Sequence, residues 1–345
     1  MQIWDIISPL DATAFTRYLP DHLPNSLNMF LPDRNVQSNK SRRAKFSRTN
    51  VTAKFRAYNA ETPIGRRPDV IQTTEWQLPP IGQKLPVAEE EALRLQLEMS
   101  NGSPAALAAL VQQMFDDFEQ NVRAIRNRAE LARGDLLQDG KFTLQDENGL
   151  TLEADWGLPD THIVTPGTKW DQTAATPLTN EKTYIQTLLI DEIGISPAWA
   201  IASTAAINAL LANAEYRAAA YPLAASPPTL AGLTQLNAVR AEHNLPPIHR
   251  YDHKLSVDNV TTNVIDPKKF ILGIDGYGEY QWGISAESLQ LVRRSAGAFV
   301  VTDAPGLVSA VYTEEDPVTS WTKTSGVGMP AVSEPAGLVV VNALT

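Results

Sequence analysis

The sequence has 345 residues, 43% of them apolar, enough to bury a sizeable core in one large domain or two to three smaller ones. It contains no cysteine, which excludes a disulfide framework, thiolate metal sites, iron–sulfur clusters and a cysteine nucleophile. Twenty-nine basic against thirty-nine acidic residues give a net charge of −10, unlike a general nucleic-acid binder.

Taken in chain order, the first twenty residues carry Asp5 and Asp11 with only Arg17 and have no apolar run, so no signal peptide is expected. Ser8 followed by Pro9 predicts a capped short helix. Pro20, Pro24 and Pro32 then space out a segment that reads as an extended arm rather than a packed element.

Ten basic residues follow: Arg34, Lys40, Arg42, Arg43, Lys45, Arg48, Lys54, Arg56, Arg66 and Arg67. Glu61 is the one acid among them, so this stretch is +9 and the rest of the chain sums to −19. A basic insert on an acidic body marks an interaction element. Val51 to Tyr58 alternates apolar and polar residues, and Val70 to Leu78 is rich in strand formers. Between them Asn59 to Pro68 holds Pro63, Gly65 and Pro68, so a two-stranded, positively charged projection is predicted. Three readings of it stand: a solvated surface hairpin, a nucleic-acid arm stacking through Phe46, Phe55 and Tyr58, or an arm clasping the acidic surface of another copy. An isolated hairpin is marginal in water and needs something to lie upon.

Val87 to Ser100 reads as a helix with Glu89, Glu90 and Glu91 in its first turn. The clearest element is Ser103 to Gly134, with Ser103 as cap, Pro104 at the first helical position and Gly134 beyond the end. Leu107, Val111, Met114, Phe118, Val122, Ile125 and Ala129 form one apolar stripe along a rod of roughly 45 Å. Lys141 to Leu144 and Leu150 to Asp155 flank an Asn148–Gly149 step, a strong hairpin signal.

Pro166 to Thr179 reads as a loop and subdomain boundary, and Ser196–Pro197 opens an alanine-rich helix running to about Ala220. The most apolar stretch of the chain, Ala198 to Ala214, is broken by Ser203, Thr204, Asn208 and Asn213 and is too short and too polar to span a bilayer. Pro222 to Pro228 breaks the chain before a helix over Thr229 to Asn244. Strands are expected at Ile248 to Val257, Val260 to Ile265, Lys269 to Ile274, Ala298 to Thr302, Val308 to Tyr312 and Leu338 to Asn342. The class is α+β, without internal repeats.

Little chemistry is visible. The histidines are His22, His162, His243, His249 and His253; on a strand the last two lie about 13 Å apart, too far for one metal ion. Gly276, Gly278 and Gly283 match neither the phosphate-loop nor the dinucleotide spacing and read as a turn-rich loop. Glu89–Glu91, Asp116–Asp117 and Glu314–Asp316 read as a helix start, a solvent face and a solvated loop. No catalytic constellation, cofactor site or metal site is predicted, and no enzymatic activity.

The order of parts does carry a signal. Ala129-Glu-Leu-Ala-Arg-Gly-Asp-Leu-Leu-Gln-Asp-Gly-Lys-Phe-Thr-Leu144, Gly167-Thr-Lys-Trp-Asp171, Asp266-Pro-Lys-Lys-Phe-Ile-Leu-Gly273, Ser320-Trp-Thr-Lys-Thr324 and Leu338-Val-Val-Val-Asn-Ala343 together resemble the lambda-type major capsid protein E family of tailed phages, with the Hong Kong 97 fold. The resemblance implies an N-terminal arm over 1–33, an extended loop over 34–78 and a spine helix with peripheral domain over 79–166. It further implies an axial domain over 167–302 and C-terminal strands over 303–345 returning to the peripheral domain. The implied function is self-assembly, as hexamers and pentamers, into an icosahedral head enclosing double-stranded DNA. The ten basic residues become inter-subunit contacts, and scaffold, portal and decoration proteins become partners. The implied location is the virion, assembled in the host cytoplasm without a membrane. Retained Met1 argues against a cleaved N-terminal scaffolding segment. An encapsulin-like or gene-transfer-agent shell, and less directly a nucleic-acid-binding module, are the alternatives.

Overall fold

The computed structural model describes residues 7–46, 58, 70–87, 93, 97, 104–147, 150–222, 228–295, 297–315 and 318–345. Ser8 accepts a hydrogen bond from the Asp11 amide at 3.1 Å and Pro9 takes the first helical position, so α1 (Pro9–Tyr18) starts where the sequence puts it. Its inner face is hydroxyl-rich. Thr13 exchanges 3.2 Å bonds with the backbone of Ser309, whose own hydroxyl meets Thr16 at 3.2 Å and Thr324 at 2.8 Å. The segment after α1 passes a short 3-10 turn (Leu27–Met29) into β1 (Asp33–Asn35). It is not the unpacked arm expected. It bends through turns and the 3-10 helix, with Asn25 at φ +55°, and Leu27 and Leu31 are wholly buried in the core.

β2 (Lys40–Phe46) pairs antiparallel with β3 (Val70–Gln77). The partner of 70–77 is therefore 40–46 rather than Val51–Tyr58, which lies outside the described residues apart from Tyr58, as does the expected turn. The register sets Arg42 opposite Glu75, a favourable cross-strand pair, beside the sheltered root at Ser41 and Leu78. β4 (Pro80–Val87) takes Val87 as a strand residue; of the helix expected beyond it, Leu93 and Leu97 are described, both helical.

The long helix α2 (Pro104–Asp139) runs 36 residues; Ser103 lies outside the described residues. It passes straight through Gly134, where the sequence predicts its end. A Cβ at Gly134 would lie 2.4 Å from the Val264 carbonyl oxygen, so this glycine permits close packing. The chain turns instead at Gly140, at φ +74°. The hairpin of β5 (Lys141–Glu147) and β6 (Leu150–Asp155) follows as expected, its Asn148–Gly149 step outside the described residues.

Next come β7 (Ile163–Val164), then α3 (Pro177–Tyr184), which continues through a wide π turn (Ile185–Ile190) and Asp191–Ile193 to Gly194. The predicted single helix from Ser196 to Ala220 is instead β8 (Trp199–Ala202), α4 (Thr204–Ala212) and α5 (Ala214–Ala220). Ser203 and Asn213 cap the two helices with 3.0 and 2.9 Å bonds. α6 (Leu233–Glu242) leads to β9 (Ile248–Arg250), the hairpin β10 (Lys254–Val257) and β11 (Val260–Asn263), β12 (Lys269–Gly273) and β13 (Gly278–Trp282). Then follow α7 (Ala286–Arg294), β14 (Val308–Glu315), β15 (Val318–Val332) and β16 (Leu338–Asn342). β13, α7 and β15 go beyond the sequence reading, and the strand expected at Ala298–Thr302 is instead a bend into a 3-10 turn (Val301–Asp303).

Two sheets share one core. The first runs β1-β13-β15-β14, with β4 also on β15; the second runs β7-β16-β12-β8-β9. β16 thus joins the sheet of β8 and β12, away from β14 and β15. α2 ties both together: Asn121 donates to the Thr322 carbonyl at 3.0 Å, and Gly134 packs on Val264 just before β12. Among the described residues no helix is long and apolar enough to cross a membrane.

Candidate inter-subunit surface

One face of α2 holds the segment that leads to the basic loop. Arg126 donates to the carbonyls of Pro20 and Leu19, and Asn127 meets His22 at 2.9 Å. One turn on, Glu130 accepts from the Leu27 amide at 2.7 Å and from the Tyr251 hydroxyl at 2.8 Å. Arg133 donates to the Leu31 carbonyl at 3.1 Å, to the Asp33 carboxylate and to Glu130 at 3.4 Å, with its guanidinium 4.9 Å from the Tyr280 ring centre. Positions three and four apart share a helix face, so this ladder follows from α2 being one unbroken helix. Burial pushes the Tyr251 phenol far above its usual value and Glu130 adds to the effect, so Tyr251 stays a donor.

The loop's root is equally fixed. Trp76 packs on Trp156 at 4.2 Å between ring centres, and Leu78 is buried with its amide on the Asn39 carbonyl at 2.9 Å. Val36 donates to the Trp282 carbonyl at 2.8 Å, and Ile284 to that of Ser38 at 3.2 Å. Gly283 is a glycine by necessity, since a Cβ would sit 2.4 Å from the Ser38 oxygen.

The ten basic residues divide into three groups. Arg34 lies on β1, 66% exposed, with Nη1 3.1 Å from both Glu279 oxygens. Lys40 and Arg42 converge on Glu75 at 3.4 and 2.8 Å, and Arg43 and Lys45 sit on β2 opposite Thr74 and Gln72. Arg48, Lys54, Arg56, Arg66 and Arg67 lie outside the described residues. Exposed pairs of this kind contribute at most about 1 kcal/mol within a subunit, so the fold does not depend on the pairs of Arg34, Lys40 and Arg42.

The histidines do not converge. His162 is buried between the Leu338 carbonyl at 2.8 Å and Glu192 at 3.0 Å. His249 stacks edge-on against Phe30 at 5.1 Å, and burial lowers its pKa; His253 meets the Pro24 carbonyl at 2.6 Å. Both therefore pack on the N-terminal segment. Among the described residues no three of His, Asp and Glu are grouped to hold a metal ion. Gly276 supplies a turn at φ +67°, and Gly278 lets β13 approach the Ala331 carbonyl. Glu314 lies on β14, 3.9 Å from Lys84.

Two buried polar clusters escaped the sequence reading: Glu130–Arg133–Tyr251 and, under α6, Glu181–Arg240–Tyr216. A glutamate and an arginine three apart beside the α2 apolar stripe were the available signal for the first. The second joins residues far apart in sequence and leaves no local pattern.

The family model described as phage major capsid protein E matches residues 24–343. No curated protein matches the sequence. Among solved structures, a prophage capsid protein from Escherichia coli CFT073 superposes with a TM-score of 0.61 at 14% identity, covering 96% of this chain and 97% of that one. A phage-related protein from Bordetella bronchiseptica RB50 gives 0.53 at 10% identity, with 97% and 96% covered.

Proposed function

The chain belongs to the phage major capsid protein E family, has the Hong Kong 97-type fold and is a major capsid protein, and from that premise we propose how its copies assemble. Hexamers and pentamers build the icosahedral head around the double-stranded DNA of a tailed phage. Within each copy the basic loop over 34–78 clasps the acidic body of its neighbour. The observation that carries this is the charge split, a +9 segment on a chain otherwise −19, mounted on a root buried between Trp76, Trp156 and β13. Such complementarity favours head-to-tail contacts, which close into rings. In this reading α2 is the spine, the first sheet with the β5–β6 hairpin is peripheral, and the second sheet with α3 to α6 is axial. The family is structural, so no catalysis is assigned. Scaffold, portal and decoration proteins, and assembly in the host cytoplasm, come to the reading through the family.

Neutral replacement of Arg42, Arg43 and Arg48 by glutamine tests the clasp. Light scattering with negative-stain microscopy should show closed shells and rings for the parent and dispersed, folded subunits for the variant. Shells that persist while DNA affinity falls steeply with salt would make the loop a nucleic-acid arm instead. A parent chain that stays monomeric at high concentration with scaffold supplied would overturn the assembly reading.

A further inference from the structure

The junction between α2 and the β5–β6 hairpin is built against two ordinary rules. Asp135 and Asp139 stand one turn apart at the C-terminal end of the helix, where the macrodipole disfavours negative charge and like charges four residues apart repel. Both side chains are nevertheless turned onto the hairpin. Asp135 Oδ2 accepts from the Thr143 amide at 2.8 Å, and Asp139 Oδ1 from the Lys141 amide at 2.9 Å. The turn between them is tight: Gly140 sits at φ +74°, its amide bonds the Leu136 carbonyl at 2.9 Å, and its carbonyl accepts from Trp156 at 3.2 Å.

We infer that Asp135 and Asp139 form a two-carboxylate latch that fixes the angle between α2 and the β5–β6 hairpin and grips more firmly when it takes up a proton than when both groups are charged. The charged surroundings are these. From the helix itself, Arg128 acts on Asp135, and from β12 Lys269 acts on both carboxylates, its Nζ held 3.1 Å from the Gln138 carbonyl. From the hairpin, Lys141 and Asp155 act on Asp139, and Lys141 is itself shared between Asp155 at 3.2 Å and Glu153 at 3.4 Å. Desolvation raises both aspartates above the usual carboxylate range, and Asp139 adds its like charge to Asp135; the amide bonds from Thr143 and Lys141 and then the cations pull the other way without cancelling the burial. Opening the junction would hydrate both groups and return them to ordinary acidity. The closed junction thus binds protons more tightly than the open one, so falling pH favours closure and rising pH through the elevated range favours opening. Every group of the latch lies within one subunit.

The test is amide hydrogen exchange of the full chain from about pH 3.5, below the ordinary aspartate pKa, to about pH 8, corrected for intrinsic exchange. A peptide covering 140–147 is compared with one from the β12–β16 sheet. The expected result is greater protection of the hairpin peptide at the acid end, on the order of tenfold for each unit by which closure raises the pair, with the sheet peptide unchanged. The D135N/D139N variant keeps both acceptor oxygens without the charges and should show acid-like protection throughout. Flat protection in the parent overturns the latch without recourse to any variant. So does a folded variant, checked by circular dichroism, that retains the parent's pH response.

Discussion

Arg240 is held inside the protein by three partners. Its Nη1 lies 2.9 and 2.8 Å from the two Glu181 oxygens and 3.0 Å from the Tyr216 hydroxyl, and Nε donates to the Pro246 carbonyl at 3.0 Å. Burial alone would lower the guanidinium's pKa, but Glu181 and Tyr216 more than offset it, so the ion pair persists. Arg240→Met should cost about 3–5 kcal/mol, because it leaves the fully buried Glu181 carboxylate uncompensated. The urea midpoint of the free subunit measures this, and the double change E181L/R240M should recover most of the loss. Tyr251→Phe removes one donor from buried Glu130 and should cost about 1–3 kcal/mol in the same assay. Arg34→Gln breaks an exposed pair with Glu279 and should change the midpoint by less than the equivalent of about 1 kcal/mol. A loss at Arg34 as large as at Arg240 would mean that the subunit's stability depends on its surface charges.

At the level of elements, helix propensity and packing make opposite forecasts for Gly134. Propensity predicts that alanine at this position, inside the last turns of α2, is stabilising by up to about 1 kcal/mol. Packing predicts a loss of about 1–3 kcal/mol, since the new Cβ would meet both the oxygen and Cγ1 of Val264 within 2.5 Å. We expect packing to win, as a lowered melting temperature for G134A, whereas Gly167→Ala, with no atom within 4 Å of its Cβ, should be near neutral. Periodicity makes α2 legible because up to Ala129 one face alone is buried, and the Asn-Gly hairpin is legible from its turn. β8 was not: Trp199 to Ala202 are buried on both faces, so no alternation marks them as a strand among alanines. β13 does alternate buried and half-buried residues, but Gly278 within it and Gly276 and Gly283 on either side read as a turn. The basic loop is legible as charge, but alternation points to Val51–Tyr58 as the partner of 70–77, because β2 is too rich in cations to read as a strand. The hub at Glu130 and Arg133 gathers α2, the N-terminal segment, β9's neighbour Tyr251 and Tyr280, a convergence that only the fold creates.

For the whole molecule, the charge split predicts that salt weakens association more than folding. Going from about 0.1 M to about 1 M shortens the screening length from roughly 10 to roughly 3 Å. Sedimentation should then show fewer rings and shells at high salt, while circular dichroism stays unchanged; salt-indifferent assembly would remove charge as the driving contact. The topology adds a consequence for biosynthesis. β7 pairs within its sheet through β16 alone, and β12 also uses β16 as one of its two neighbours. A ribosome that has delivered residue 332 has supplied every strand of the first sheet, while the second still lacks the strand at 338–342. Contacts so distant in sequence form late and slowly. A prematurely terminated chain therefore keeps Leu272 and its neighbours without their cover and is a ready target for proteases. The position of β16 makes the second sheet wait for residues 338–342, so a subunit cut short of them lacks part of its core before it meets any other copy.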